Sequence, residues 1–182
     1  MSRLAAIRRD LGDLQGAREL HEQALAGSRR MLGDDHPDTL TTMNSLGVTL
    51  RALGDLQGAR QLHEQTLAAR RRVLGEDHPN TLWSMSNLAE TLRALGDLQR
   101  ARQLQEQTLT ARRQVLGDDH PATLTSMSNL AANLRSYSHT STFVARRQVV
   151  GDPSPWGLDY GFECCDTSVI YAMITWIGDS AL

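Results

Sequence analysis

Four arginines, Arg9, Arg51, Arg93 and Arg135, stand at equal steps of 42 residues. A guanidinium is a planar, permanently charged fork that grips carboxylate or phosphate through parallel hydrogen bonds. Polar stripes lead into three of these arginines: Thr41, Asn44, Val48, Arg51; then Trp83, Ser86, Glu90, Arg93; then Thr125, Ser128, Ala132, Arg135. Steps of three and four put each set on one helical face. Stacked helices lie about 10 Å apart. The four arginines therefore read as a ladder suited to an extended acidic ligand. The competing reading is a solvated face whose arginines pair with nearby Asp and Glu.

Other chemistry-bearing residues point to structure. His36, His78 and His120 each follow an Asp, and His with Asp can ligate zinc. They too are copies about 10 Å apart, whereas one ion needs ligands within about 2 Å. Helix capping is the expected role, and no metal site is assigned. His21 and His63 occupy an inward helical position that Gln105 fills in the next copy, which marks a packing residue with a polar tip. Cys164 and Cys165 are adjacent and offer neither a disulfide framework nor metal-type spacing. No nucleophile elbow, phosphate loop, His-Glu-x-x-His or paired-cysteine motif occurs. The chain reads as a non-enzyme without a cofactor.

The elements that must carry these residues are written in a repeat. Leu32-Gly33-Asp34-Asp35-His36-Pro37 returns from Leu74 and again from Leu116, at 74 − 32 = 42 and 116 − 74 = 42. A fixed period of this size means stacked units that bury apolar faces only against their neighbours. Within one unit, Leu40, Met43, Leu46, Gly47, Leu50 and Leu53 recur at helical spacing, with Pro37 in the first turn and Asp35 or His36 as cap. Gly54-Asp55 breaks the pattern. A second run, Leu56, Ala59, Leu62, Leu67 and Val73, ends at Gly75. The unit is a helical hairpin, helix A then helix B. Leu46, Leu50, Leu62, Leu88, Leu92 and Leu104 are expected to be buried, and Gly47, Ala89 and Ala131 to let helices A and B approach.

The phase extends backwards, because Leu11-Gly12-Asp13-Leu14 matches Leu53-Gly54-Asp55-Leu56. Residue 1 then falls inside a helix A, as in a fragment or an array with a trimmed end. Forwards, the phase fails after Arg135. The expected division is a repeat array over 1–135, a degenerate remnant of helix B over 136–152, and a non-repeat tail over 153–182. In the tail, Val169, Ile170, Met173, Ile174 and Ile177 share a helical face, so 167–178 reads as an amphipathic capping helix. The rival is a β-prone segment left by a frame change. Every Tyr, Phe and Cys, and two of the three Trp, lie after Ser136.

The formal net charge is −2, so no strong overall field selects nucleic acid or membrane. All basic side chains are Arg and none is Lys. There is no signal-peptide pattern and no apolar run long enough for a bilayer. A cytoplasmic protein is the expectation.

Each hairpin resembles the tetratricopeptide repeat, on Met43, Leu46, Gly47, Leu50 and Ala59, and on Met85, Leu88, Ala89, Leu92 and Ala101. The 42-residue period and the Leu-Gly-x-Asp-His-Pro linker resemble the kinesin light chain type of that repeat. The resemblance implies an all-α fold, a right-handed α-α superhelix, whose helix A faces line a concave groove. It implies that Asn87 and Asn129 match groove asparagines that hold peptide backbone. The expected groove is Arg9, Asn44, Arg51, Trp83, Asn87, Glu90, Arg93, Asn129 and Arg135. The expected function is a protein-interaction scaffold that docks extended acidic peptide segments along helix A. The first alternative is the sensor array of a larger regulatory protein. The second is nucleic-acid backbone binding, which Glu90 and the near-neutral charge disfavour.

Overall fold

Repeating Gly-Asp and Gly-x-Asp-His-Pro punctuation cuts the chain into helices of two alternating lengths. The computed structural model describes residues 2–149, with side chains over 3–135. Seven helices occur among them: α1 (Ser2–Asp10), α2 (Leu14–Leu32), α3 (Pro37–Ala52), α4 (Leu56–Leu74), α5 (Pro79–Ala94), α6 (Leu98–Leu116) and α7 (Pro121–Val149). The odd-numbered helices are helix A and the even-numbered ones helix B. From α1 to α6 each helix packs on the next in sequence, within the compact unit Met1–Ala145.

Two capping devices set the boundaries. At helix B, the carboxylates of Asp13, Asp55 and Asp97 accept from the backbone N–H three residues on. Gly16 and Gly58 donate that bond at 2.9 Å. Arg100, which stands where they are Gly, donates at 3.3 Å. A Cβ added at Gly58 would lie 2.5 Å from the Asp55 carboxylate, so the longer bond at Arg100 reflects that crowding. At helix A, the imidazole Nδ1 of His36, His78 and His120 accepts from the N–H two residues on, each at 3.1 Å. The linker histidines are therefore caps, and a capping Nδ1 must be unprotonated. Gly33, Gly75 and Gly117 end helix B at φ near +90°, a conformation open chiefly to Gly. The last-turn arginines Arg29, Arg71 and Arg113 reach across those turns to Asp34, Glu76 and Asp118 at 2.9–3.0 Å.

The core is a translated copy of itself. One cluster joins Leu25, Leu40, Met43, Leu46, Leu50 and Ala59. The other joins Leu67, Leu82, Met85, Leu88, Leu92 and Ala101, each 42 residues further on. Leu25 and Leu67 come from the preceding helix B, so no hairpin closes its core alone. Leu46, Leu50, Leu88 and Leu92 are buried as expected; Leu62 and Leu104 are half-buried and pack on the cluster rims.

The array departs from its pattern at α7. Gly54 and Gly96 turn the chain at φ +88° and +83° after α3 and α5. The matching position is Ser138, which lacks the glycine freedom for that turn. Helix A therefore continues through 136–149, where the sequence pattern predicts a remnant of helix B. Leu124 and Met127 are 50% and 37% exposed, whereas their copies Leu82 and Met85 are 1% and 4% exposed. Residues 150–182, including the expected capping helix at 167–178, lie outside the described residues.

Leu88→Ala should destabilise the array by roughly 2–5 kcal/mol, as buried leucine truncations do. Urea unfolding followed by circular dichroism measures this. A loss below about 0.5 kcal/mol, the surface range, would contradict the core assignment.

Candidate functional site

The helix A stripe gathers its charged residues at one point. Arg51 on α3 and Arg93 on α5 both reach Glu90 Oε2, at 3.7 and 3.1 Å. The two middle rungs of the arginine ladder are thus drawn together on one carboxylate oxygen. Glu90 is the more sheltered partner, its side chain 19% exposed against 30% for Arg51 and 37% for Arg93. Arg93 Nε is shielded from solvent and donates to nothing among the described residues. Arg9 pairs with its neighbour Asp10 at 3.1 Å. Arg135 is exposed on α7.

The other expected groove residues divide by burial. Trp83 is 43% exposed and Asn87 and Asn129 are half-buried. Asn44 is fully buried, with neither amide atom hydrogen-bonded, so the structure removes it from the accessible face. Helix α3 packs on α2 and α4 and touches α1 and α5, which leaves a mid-array helix little free circumference. At the copies of Asn44, Ser86 is half-buried and Ser128 on α7 is exposed.

Beneath Trp83 lies a residue that the sequence pattern does not single out. Arg70 on α4 is 1% exposed. One terminal nitrogen donates to the Asn80 carbonyl and the Ser84 hydroxyl, both at 2.8 Å; the other donates to the Thr41 hydroxyl at 3.1 Å. Its guanidinium carbon sits 5.8 Å from the centre of the Trp83 ring, within cation–π range. Arg112 repeats the clamp on the Ala122 carbonyl and Ser126 hydroxyl. Burial pulls both guanidinium groups below the ordinary arginine range, yet arginine stays charged in proteins. A signal for the clamp does exist in the sequence, where Arg70 and Arg112 share a repeat position facing Ser84 and Ser126. At the first junction both partners change together, to Ser28 and Thr42.

Under the arginine ladder lie neutral histidines. His63 is fully buried, with neither ring nitrogen hydrogen-bonded. A Cβ added at Gly47 would fall 2.7 Å from its ring, so that glycine makes room for it. Burial first, then the charge of Arg51, holds His63 down at about 4. His21 is shifted the same way by burial and Arg9. Gln105 fills the position in the next repeat and accepts from Asn133 at 3.0 Å.

The family model of the tetratricopeptide repeat matches residues 1–72, 49–114 and 86–141. The chain belongs to the tetratricopeptide repeat family. Solved structures agree with the helix-pair stacking. A putative kinesin light chain from Podosopora anserina with nearly identical TPR-like repeats is 30% identical, with a TM-score of 0.72, over 84% of this chain and 75% of that one. A point variant of that Podosopora anserina protein is 29% identical, with a TM-score of 0.69, over 83% and 74%. BtubC (BKLC) from P. vanneervenii shares the fold at 20% identity and a TM-score of 0.69, over 88% and 68%. No curated protein matches significantly. Tetratricopeptide repeats generally serve protein–protein interaction and are typically non-catalytic. No helix among the described residues is long and apolar enough to cross a membrane.

Acid should destabilise the array through His63. Its folded value is about 4 against an ordinary 6.5, so the unfolded chain takes up the proton first as pH falls. Stability is full above pH 6.5 and declines until about pH 4, by about 3 kcal/mol. Urea midpoints across this range should fall less steeply for His63→Gln, which installs the Gln105 solution. Arg70→Ala at neutral pH should cost about 1.5–3 kcal/mol, the range for hydrogen bonds to charged groups, and thermal unfolding would register it.

Proposed function

We infer that this array is a protein-interaction module that docks an extended acidic peptide along the helix A face. The convergence of Arg51 and Arg93 on one carboxylate carries the reading, because Glu90 Oε2 marks a position where this face accommodates a carboxylate oxygen. Trp83 offers a half-open ring about two turns before that point on the same helix, and large aromatic surfaces are favoured contact points. Asn87 and Asn129 are half-buried, and the shielded, unpartnered amide nitrogen of Asn87 leaves a donor that suits the backbone of an extended segment, as in the family's groove. Arg9 and Arg135 extend the same stripe in either direction. Nucleic acid is the weaker partner: Glu90 partly neutralises the centre of the stripe, and phosphate backbones need a continuous positive field.

Binding of acidic peptides should weaken as salt rises, because exposed charge is screened over about 8 Å at physiological ionic strength. Peptide-array enrichment and fluorescence anisotropy test this. Arg51→Ala combined with Arg93→Ala should abolish the preference for acidic sequences. An array without acidic enrichment, or binding indifferent to that double change, would overturn the reading.

A further inference from the structure

The stripe carries a single acid at its centre, and the fold does not require one there. The repeat position of Glu90 is Ala6, Val48 and Ala132 in the other copies. Helix A forms in all of them, so the carboxylate is dispensable for the hairpin. At this one junction it bridges helices from successive repeats, hydrogen-bonding Arg93 Nη2 at 3.1 Å and standing 3.7 Å from Arg51 Nη1. Its grip is incomplete. One oxygen serves both arginines, and Arg93 Nε stays shielded without an acceptor among the described residues. A ligand carboxylate that displaced Glu90 could engage the terminal nitrogens of both guanidinium groups with both of its oxygens, the paired geometry that makes such contacts strong.

We propose that Glu90 is a built-in competitor for the acidic ligand, an internal carboxylate that occupies Arg51 and Arg93 until a ligand carboxylate displaces it. This rests on the acidic-peptide reading above and assigns its selectivity. While Glu90 holds both arginines, one carboxylate of a ligand gains little by replacing another. A ligand must bring further acidic groups that reach Arg9 or Arg135, or contacts at Trp83, to make the exchange favourable. Glu90 thereby selects against short or weakly acidic segments and keeps the two central cations from capturing stray anions.

The test measures a fluorescein-labelled oligoglutamate peptide against the full chain by anisotropy, over a range of salt. The proteins are wild type, Glu90→Val, Glu90→Gln and the double change Arg51→Ala with Arg93→Ala. Val is the residue that α3 carries at this position, and an unchanged circular dichroism melt confirms folding. Both Glu90 variants should bind roughly three- to tenfold tighter than wild type, the scale of releasing partly exposed ion pairs. Their affinity should also fall more steeply with salt. Detectable binding by the Glu90 variants alone would support the proposal further. If wild type binds, the double arginine change loses binding, and the Glu90 variants are unchanged or weaker, the competitor role falls while the acidic-peptide reading stands. Tightening by Val but not by Gln would assign the effect to volume and overturn the competitor role. If none of the proteins binds, or the double arginine change binds like wild type, both fall.

Discussion

Everything in this array follows from a helical hairpin that cannot cover its own apolar face. Leu25 in the second half of α2 closes the cluster built by α3 and α4, and Leu67 in the second half of α4 does the same for α5 and α6. Most of the packing is between helices adjacent in sequence, so stability is held in units and junctions. The junctions must then be specified as firmly as the hairpins. Three kinds of bond do this: the histidine cap at the start of helix A, the arginine bridge across the glycine turn, and the buried Arg70 or Arg112 clamp. The clamp differs from the others because its cation lies inside the junction. Its donors go to a carbonyl and a hydroxyl of the next helix A, so a sliding of the units would leave a buried charge unsatisfied, which is expensive in any low-dielectric site.

Much of the fold is legible in the sequence, because the features that impose it are local and repeat. The period, the Gly-Asp break and the leucine spacing are visible in one dimension, and the clusters copy them residue for residue. The linker histidines are legible as caps because three copies about 10 Å apart cannot share an ion. What escapes is anything decided by neighbours in space. Arg70 and Arg112 each open a run of arginines that looks like surface, and their shared position facing Ser84 and Ser126 gains its meaning once the next helix A is stacked on them. Asn44 fits the groove stripe by spacing, yet α3 has helices on both sides and the amide is enclosed. At the same position Ser86 is half-buried and Ser128 is exposed. Burial of a repeat position therefore depends on its rank in the stack as well as on its phase.

The end of the array shows the same rule from the other side. Replacing the glycine of the A–B turn by Ser138 leaves α7 without a place to reverse, and helix A runs on to Val149. Among the described residues no helix B returns along it in the manner of α4 and α6, and Leu124 and Met127 stay open, although their types and spacing match buried copies. A leucine in this pattern is a core residue only if the following half-unit is delivered. The glycine of the turn, which touches no core atom, thus controls the burial of side chains two turns and more away.

The site illustrates how a stacked array makes a feature that no single repeat contains. Arg51 and Arg93 are translated copies, and an ideal stack would hold their guanidinium groups a helix spacing apart. Glu90 appears in one copy only, and that single departure from the repeat draws the two cations together. Below them, His63 and His21 are kept neutral, first by burial and then by the arginines above them. The positive charge of this face therefore constrains what can lie beneath it. A protonated imidazole under Arg51 would place two cations around one helix junction, one of them without a hydrogen-bond partner. The uncharged ring, or the amide that replaces it at Gln105, is the form compatible with a cationic face. Surface charge and pH tolerance are thus linked through one column of residues, with Arg51 on the solvent side and His63 on the core side.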